Sequence, residues 1–404
     1  MTPTTQTPDW RAWVPPPGGE RFSLAATLPE LPGLWDLARD QAAVAHWVAV
    51  LRGNADYVEA LVADAGPETA AATAPALAAL RALLMDLEAG RAQDRIRSVH
   101  DVTRVRENLL RAHGSGDPYA EVKRRETRRW WAAARARVTA MCAAARGKAD
   151  GSVLAPLIAG LWAGNLFDLG SQRTQEAYRC GRLDPEGARA RLQPRAESAV
   201  AHLPAAAMAF LAAAPRPLEE PAAGTLLFFV DNAGADFLLG VLPLAAYWAH
   251  AWEVRVACNA HPASSDITYA EAGEQVARLT AECGALRELC AAGRVRLIST
   301  GTGTPGIDFR DVGAELNAAA EGCDWIVIEG QGRAIETNWR STFRRPVLRA
   351  AVAKDDWVAA ALGLEPESPL LHWQSSAPQV ERPSAREQED ALHVRRLREE
   401  IEDA

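Results

Sequence analysis

The sequence is poor in the residues that build soft metal or redox sites. Its six cysteines (Cys142, Cys180, Cys258, Cys283, Cys290 and Cys323) include no CxxC pair, so neither a zinc ribbon nor a dithiol motif is indicated. Cys283 and Cys290 are seven apart, one face of a helix, and the six read as buried, reduced thiols. The eight histidines form no HxxxH pair, so any metal would be held by oxygen. An excess of positive charge is lacking too. The net charge of −8 argues against a nucleic-acid partner. No run of 18 or more apolar residues is present, so no membrane span is expected. The start, MTPTTQTPDWRAW, lacks the charged-then-apolar layout of a signal peptide, and a cytoplasmic location is the expectation.

What is present is ordinary globular composition, 48% hydrophobic and 24% charged, over 404 residues, a length that favours two domains. The opening Pro15-Pro16-Pro17-Gly18-Gly19 marks a lead-in segment over 1–20. From about 30 to 215, alanine and leucine alternate with arginines and acids, and β-branched runs are nearly absent. That texture predicts helices, with amphipathic stretches over 34–53 and 76–99. The basic, tryptophan-bearing stretch 123–138 reads as the solvated face of a helix rather than a stacking platform. PRPLEEPA (215–222) marks a boundary.

Beyond it, TLLFFV (225–230), VRVACN (254–259), VRLIST (295–300), WIVIEG (325–330) and LRAAVA (348–353) alternate with helical stretches. That order predicts right-handed βαβ units and a parallel sheet. The expected organisation is a helical N-terminal domain (1–218), an α/β core (219–375) and a charged helical tail (376–404) with apolar residues near helical spacing.

A parallel sheet binds ligands beyond the carboxyl ends of its strands. Asp231 and Asn232 follow the first run and offer hard oxygen ligands, or a helix cap. Asp266 follows the second, just before a Thr268–Glu271 capping box. Gly301-Thr302-Gly303-Thr304-Pro305-Gly306 follows the third and matches GxGxxG, with Asp308 beyond it. Pro305 removes one amide a pyrophosphate would use, so the loop reads as a phosphate-approach turn or a plain turn. Glu329, Gly330, Gln331, Gly332 and Arg333 follow the fourth, and Lys354 the fifth. Polar or charged residues recurring at five strand ends point to one site.

These motifs, together with AGNLFDLGS (163–171), resemble the damage-control metal-dependent phosphatases, a family long known only as a domain of unknown function. The likeness is greatest to the phosphatase domain at the C-terminus of pantothenate kinase 4 and to its stand-alone plant relatives, and it runs through about 150–360. The resemblance implies a helical portion packed on a Rossmann-like α/β/α core with a parallel sheet. It implies a divalent ion (Mn²⁺, Ni²⁺, Co²⁺ or Mg²⁺) on Asp231, Asn232 and Asp266. It implies a Gly330-Gln331-Gly332 turn, a Lys354 cation, and Asn165 and Asp168 near the active site. Relatives dephosphorylate damaged or surplus metabolites, among them 4'-phosphopantetheine, its oxidised forms and some sugar phosphates. No kinase domain accompanies the motifs in this sequence.

The expected activity is therefore hydrolysis of a small phosphomonoester. Lys354, Arg333 and the amides near Gly301, Gly303 and Gly330–Gly332 would neutralise charge, with Asn165, Asp168 and Glu329 lining the substrate site. Asp308 or Asp266 would act as general base. An aspartyl-phosphate route through Asp231 lacks the DxD pattern and ranks lower. The rivals are an S-adenosylmethionine-dependent carboxyl methyltransferase using the Gly301–Gly306 loop, and a non-catalytic binding protein. The substrate is a small molecule, without nucleic acid or membrane, and a homo-oligomer is left open.

Overall fold

The five apolar runs after residue 220 become strands because each has apolar residues on both faces, which only a sheet covered on two sides can bury. In the computed structural model, which describes residues 8–13, 18–113, 116–145, 153–167, 174, 176–177, 180 and 184–377, β1 (Ala25–Thr27) is followed by the helices α1 (Gln41–Ala65), α2 (Pro67–Glu88), α3 (Val99–Ala112), α4 (Ala120–Ala145), α5 (Leu154–Asn165), α6 (Pro185–Ala201) and α7 (Ala205–Leu211). The α/β portion then runs β2 (Thr225–Phe229), α8 (Leu242–Trp248), β3 (Glu253–Cys258), α9 (Tyr269–Glu282), α10 (Gly284–Ala291), β4 (Val295–Ser299), α11 (Ala314–Ala320), β5 (Trp325–Glu329), β6 (Thr342–Phe343), β7 (Val347–Ala353), α12 (Asp356–Ala361) and β8 (Ser368–Gln374). The main sheet has the order β4-β3-β2-β5-β7-β8, parallel except for the antiparallel edge strand β8. The chain builds outward from β2 to β4, then returns to lay β5 on the other side of β2. The crevice between β2 and β5 is thus the topological switch point.

Alternate residues of β2, and Val230 just beyond it, feed two cores. Leu226, Phe228 and Val230 join α4, α5, α6, α9 and α10 on one face. Leu227 and Phe229 join α1, α2, α3, α11 and α12 on the other. Both cores therefore mix residues from before and after 218, and the expected boundary there is not a boundary between cores. The N-terminal segment is tied in as well: β1 pairs antiparallel with β6, and Phe22 stacks on Phe309 at 4.8 Å beside Phe229 and Phe343.

The helical expectations need two corrections. The stretch 34–53 becomes helical only at Gln41, where the Asp40 side chain accepts from the Ala43 amide and caps α1. The stretch 76–99 breaks after Glu88, because Gly90 takes φ +73° and Ser98 starts α3 with a Ser98–Asp101 capping box. Composition alone does not register such local caps. Helix α2 is long and apolar enough to cross a bilayer by length and composition, yet Leu77, Leu80, Leu83, Leu84 and Leu87 are buried in the core shared with α1. The sequence reading also lacked β8. The charged tail beyond 377 lies outside the described residues.

Phe309 sits at the centre of the aromatic cluster and is 1% exposed. Phe309→Ala is expected to cost about 3–5 kcal/mol of stability, read as a lower urea midpoint with an unchanged m-value.

Candidate active site

Asp231 follows β2, and Asn232 opens the turn into a π-helical stretch, Asp236–Val241, that leads into α8. The loop after β3 is zipped against this turn. The Ile267 amide donates to the Asp231 carbonyl at 3.0 Å and the Ala233 amide to the Ser265 carbonyl at 2.9 Å. These bonds set Asp266 opposite Asn232. Ser264 in the same loop takes φ +50°, a left-handed conformation that costs energy for a side-chain-bearing residue and is commonest where function requires it.

After β5 comes Gly330 with φ +96°, and a Cβ there would collide with the Asp231 carboxylate. A second π-helical stretch, Gln331–Thr337, follows and turns Arg333 inward. π-helical turns are rare and recur at functional sites. The buried Arg333 guanidinium donates to Asp231 Oδ1 through Nη1, and to Asp266 Oδ2 through Nη2 at 2.7 Å. Arg333 is raised in pKa: burial opposes its charge, and Asp266 and Asp231 outweigh that. At the end of β7, Lys354 Nζ donates to the Asn165 carbonyl at 2.9 Å, and the Lys354 amide to Gln331 Oε1 at 2.6 Å.

Beneath these residues lies a second tier. Asn165 Nδ2 donates to Glu329 Oε1 at 2.7 Å, Asp231 Oδ2 at 3.2 Å and Asp236 Oδ2 at 3.3 Å. Glu329 Oε2 accepts from the Asp231 amide at 2.7 Å. Oxygens of Asp231, Asp236 and Glu329 lie within 4.8 Å of one another, and this buried triad could hold a metal ion. Asp236 Oδ1 is buried with no hydrogen-bond partner among the described residues. Burial, and then the Asp231 charge, push Asp236 up to about 7. Burial, with Asp236 and Asp231, raises Glu329 well above its usual range. The cluster thus holds more carboxylate than its cations balance, and protons or a hard divalent ion must supply the difference.

A cavity of about 340 Å³ opens at this switch point, lined by Asp231, Asn232, Asp266, Gln331, Gly332 and Lys354 among others. Six expected site residues are therefore brought together. Others stand elsewhere. Glu329, Gly330, Arg333 and Asn165 do not line the cavity; they are buried beside and beneath it, where they hold Asp231 and its neighbours. Gly301, Gly303 and Asp308 line a separate cavity of about 350 Å³, so their expected part at the Asp231 pole needs correction. Asp308 is taken up by Arg310 at 2.8 Å. Its pKa is lowered: burial works against the charge, and Arg310 and His100 outweigh it. From the glycine loop, Pro305 reaches the Asp231 cavity. Asp168 lies outside the described residues.

The structure adds residues the sequence reading missed. Asp236 was not among the expected site residues. Arg106 lines the cavity from α3, and its Nε donates to Glu107 Oε1 at 2.8 Å. The available signal was a charge among the buried Val102, Val105, Leu109 and Leu110 of an amphipathic helix.

A family model described as the damage-control phosphatase ARMT1-like domain matches residues 47–369. The chain belongs to the damage-control phosphatase family. It is 30% identical over 360 residues to pantothenate kinase 2 of Arabidopsis thaliana, an alignment covering 82% of this chain and 39% of that one. It is 31% identical over 282 residues to damage-control phosphatase At2g17340 of the same plant, covering 64% of this chain and 68% of that one. It is 27% identical over 332 residues to 4'-phosphopantetheine phosphatase of Mus musculus, covering 66% of this chain and 37% of that one. The chain thus spans well under half the length of the first of these relatives. Among solved structures, a DUF89 family protein from Pyrococcus horikoshii matches with TM-score 0.46 and 19% identity, over 80% of this chain and 96% of that one.

The raised Asp236 carboxyl of this damage-control phosphatase family member has a stability consequence. A carboxyl raised in the folded state contributes stability below its unfolded value, and loses it as pH rises through its folded value, here about 7. In chelator, the melting temperature is expected to fall between about pH 4 and pH 7, and Asp236→Asn is expected to flatten that fall.

Proposed function

We propose that the protein is a metal-dependent phosphatase that hydrolyses a small phosphomonoester in the Asp231 cavity. The observation that carries this reading is the convergence of Asp231, Asn232, Asp266, Lys354 and Arg106 on one cavity. It places hard oxygen donors beside two cations in a depression at the switch point of the sheet. Family membership and a relative named 4'-phosphopantetheine phosphatase support the reaction class. The candidate substrates are 4'-phosphopantetheine, its damaged forms, or a sugar phosphate.

In this reading Asp231, Asn232 and Asp266 hold the ion from the cavity side, with Asp236 and Glu329 adding negative charge from beneath. The unpartnered Asp236 Oδ1 and the surplus of carboxylate fit a bound cation. When bound, Mn²⁺, Ni²⁺, Co²⁺ or Mg²⁺ supplies Lewis-acid neutralisation of the phosphoryl oxygens. Arg106 and Lys354 neutralise the remaining phosphoryl charge. Gln331 positions Lys354 by accepting its backbone amide. Arg333 keeps the Asp231 and Asp266 carboxylates at a fixed separation. Asp266, facing the cavity where Asp308 does not, accepts the proton of the attacking water.

Phosphate release from a panel of phosphoesters tests this directly. Release is expected with a divalent ion and not in chelator, and Asp266→Ala is expected to lower kcat/KM by about 100-fold or more. No release with any ion from folded protein would sink the reading. The double variant Arg106→Met/Glu107→Gln, which leaves no buried charge unpaired, is expected to lower kcat/KM about tenfold or more at unchanged metal affinity.

A further inference from the structure

Helix α1 contributes His46, Trp47, Val50, Leu51 and Asn54 to the cavity. Their spacing is that of one stripe along the helix. Trp47 and Leu51 are buried, and Val50 is half-buried, so this wall is largely apolar. Asn54 is half-buried, and among the described residues its side-chain amide makes no hydrogen bond. An amide facing a cavity in this way matches a neutral donor or acceptor on a ligand.

Charge is distributed unevenly around the same cavity. The buried lining residues include Asp231, Asp266 and Arg106. The more exposed lining residues include Glu336, Asp355 and Asp356, the last fully on the surface side. Glu336 accepts from Gln331 Nε2 at 2.6 Å. Asp355 accepts from His46 Nε2 at 3.0 Å and from the Trp357 and Val358 amides at 2.9 and 3.1 Å. His46 also stacks on Trp357 at 4.9 Å. Helix α1 is thereby latched to the segment that carries Lys354, and its wall stands at a fixed position relative to the phosphate-binding pole.

At about 340 Å³ the cavity is in the size range of small-ligand sites. Its buried end suits a phosphate, and the remainder must take the body of the ester. We propose, relying on the phosphatase reading for the chemistry at Asp231, that α1 is the selecting wall of this cavity. The ester it admits has an uncharged body, with an apolar part against Val50 and Leu51 and an amide or hydroxyl read by Asn54. The open-end carboxylates Glu336, Asp355 and Asp356 repel esters whose body carries a second negative charge.

The test compares three phosphomonoesters on the full chain with Mn²⁺. They are 4'-phosphopantetheine, with a neutral amide body; 3-phosphoglycerate, with a carboxylate body; and 4-nitrophenyl phosphate. Turnover gives kcat/KM, and calorimetry in chelator, where no hydrolysis is expected, gives Kd for the same set. Wild type is expected to favour the amide-bodied ester over the carboxylate-bodied one by both readouts. Asn54→Leu is expected to lower the amide-to-nitrophenyl ratio about tenfold, mainly through KM. Asp356→Asn is expected to raise relative use of the carboxylate-bodied ester about threefold. Equal preference in wild type, or ratios unmoved in both folded variants, would overturn the assignment of α1. Absence of turnover with all three would fall on the phosphatase reading instead, and the Kd ratios would still decide the role of α1.

Discussion

The Arg333 guanidinium, held between Asp231 and Asp266, is the contact on which the rest of the site depends. Four carboxylates (Asp231, Asp236, Asp266 and Glu329) are buried within one network. Like charges this close and this dry repel strongly. A planar cation with two donor edges can engage two of them at once. The π-helical turn after Gly330 delivers it, and only glycine fits there, because a side chain would strike Asp231. The remaining imbalance falls on Asp236 and Glu329, whose raised pKa values express it.

The frame that permits this is the reversal of strand order at β2. Its two neighbours, β3 and β5, leave in different directions, so their loops and that of β2 surround one crevice. Backbone bonds between the β2 and β3 loops then align Asp266 with Asn232. The helices before 218 complete the enclosure. They contribute to both cores, and α1 and α3 form the walls of the cavity. A helical portion that composition sets apart as a domain is thus half of the container.

Much of this was legible because strand ends are read locally. An apolar β-rich run followed by Asp231-Asn232, by Asp266 or by Lys354 announces its own position relative to the sheet. Gln331 and Gly332 were legible for the same reason. Asp236 was not, since seven residues past β2 it looks like any acid at a helix start. Arg106 was not, since its role depends on which neighbour α3 faces. The Gly301–Gly306 loop misled in the opposite direction. Its glycines suit a phosphate wherever one is delivered, but the loop opens on another cavity.

The sequence by itself determined the elements: five parallel strands, the helices between them, and the chemical character of each strand-end loop. These follow from side-chain periodicity and turn chemistry, which act over a few residues. Tertiary structure alone decided which loops share a crevice, and which carboxylates lie above or beneath the cavity. It also decided that α1 and α3 close the site. Those outcomes rest on strand order and on contacts between residues more than a hundred positions apart, such as Arg333 with Asp231, and no local pattern encodes such distances.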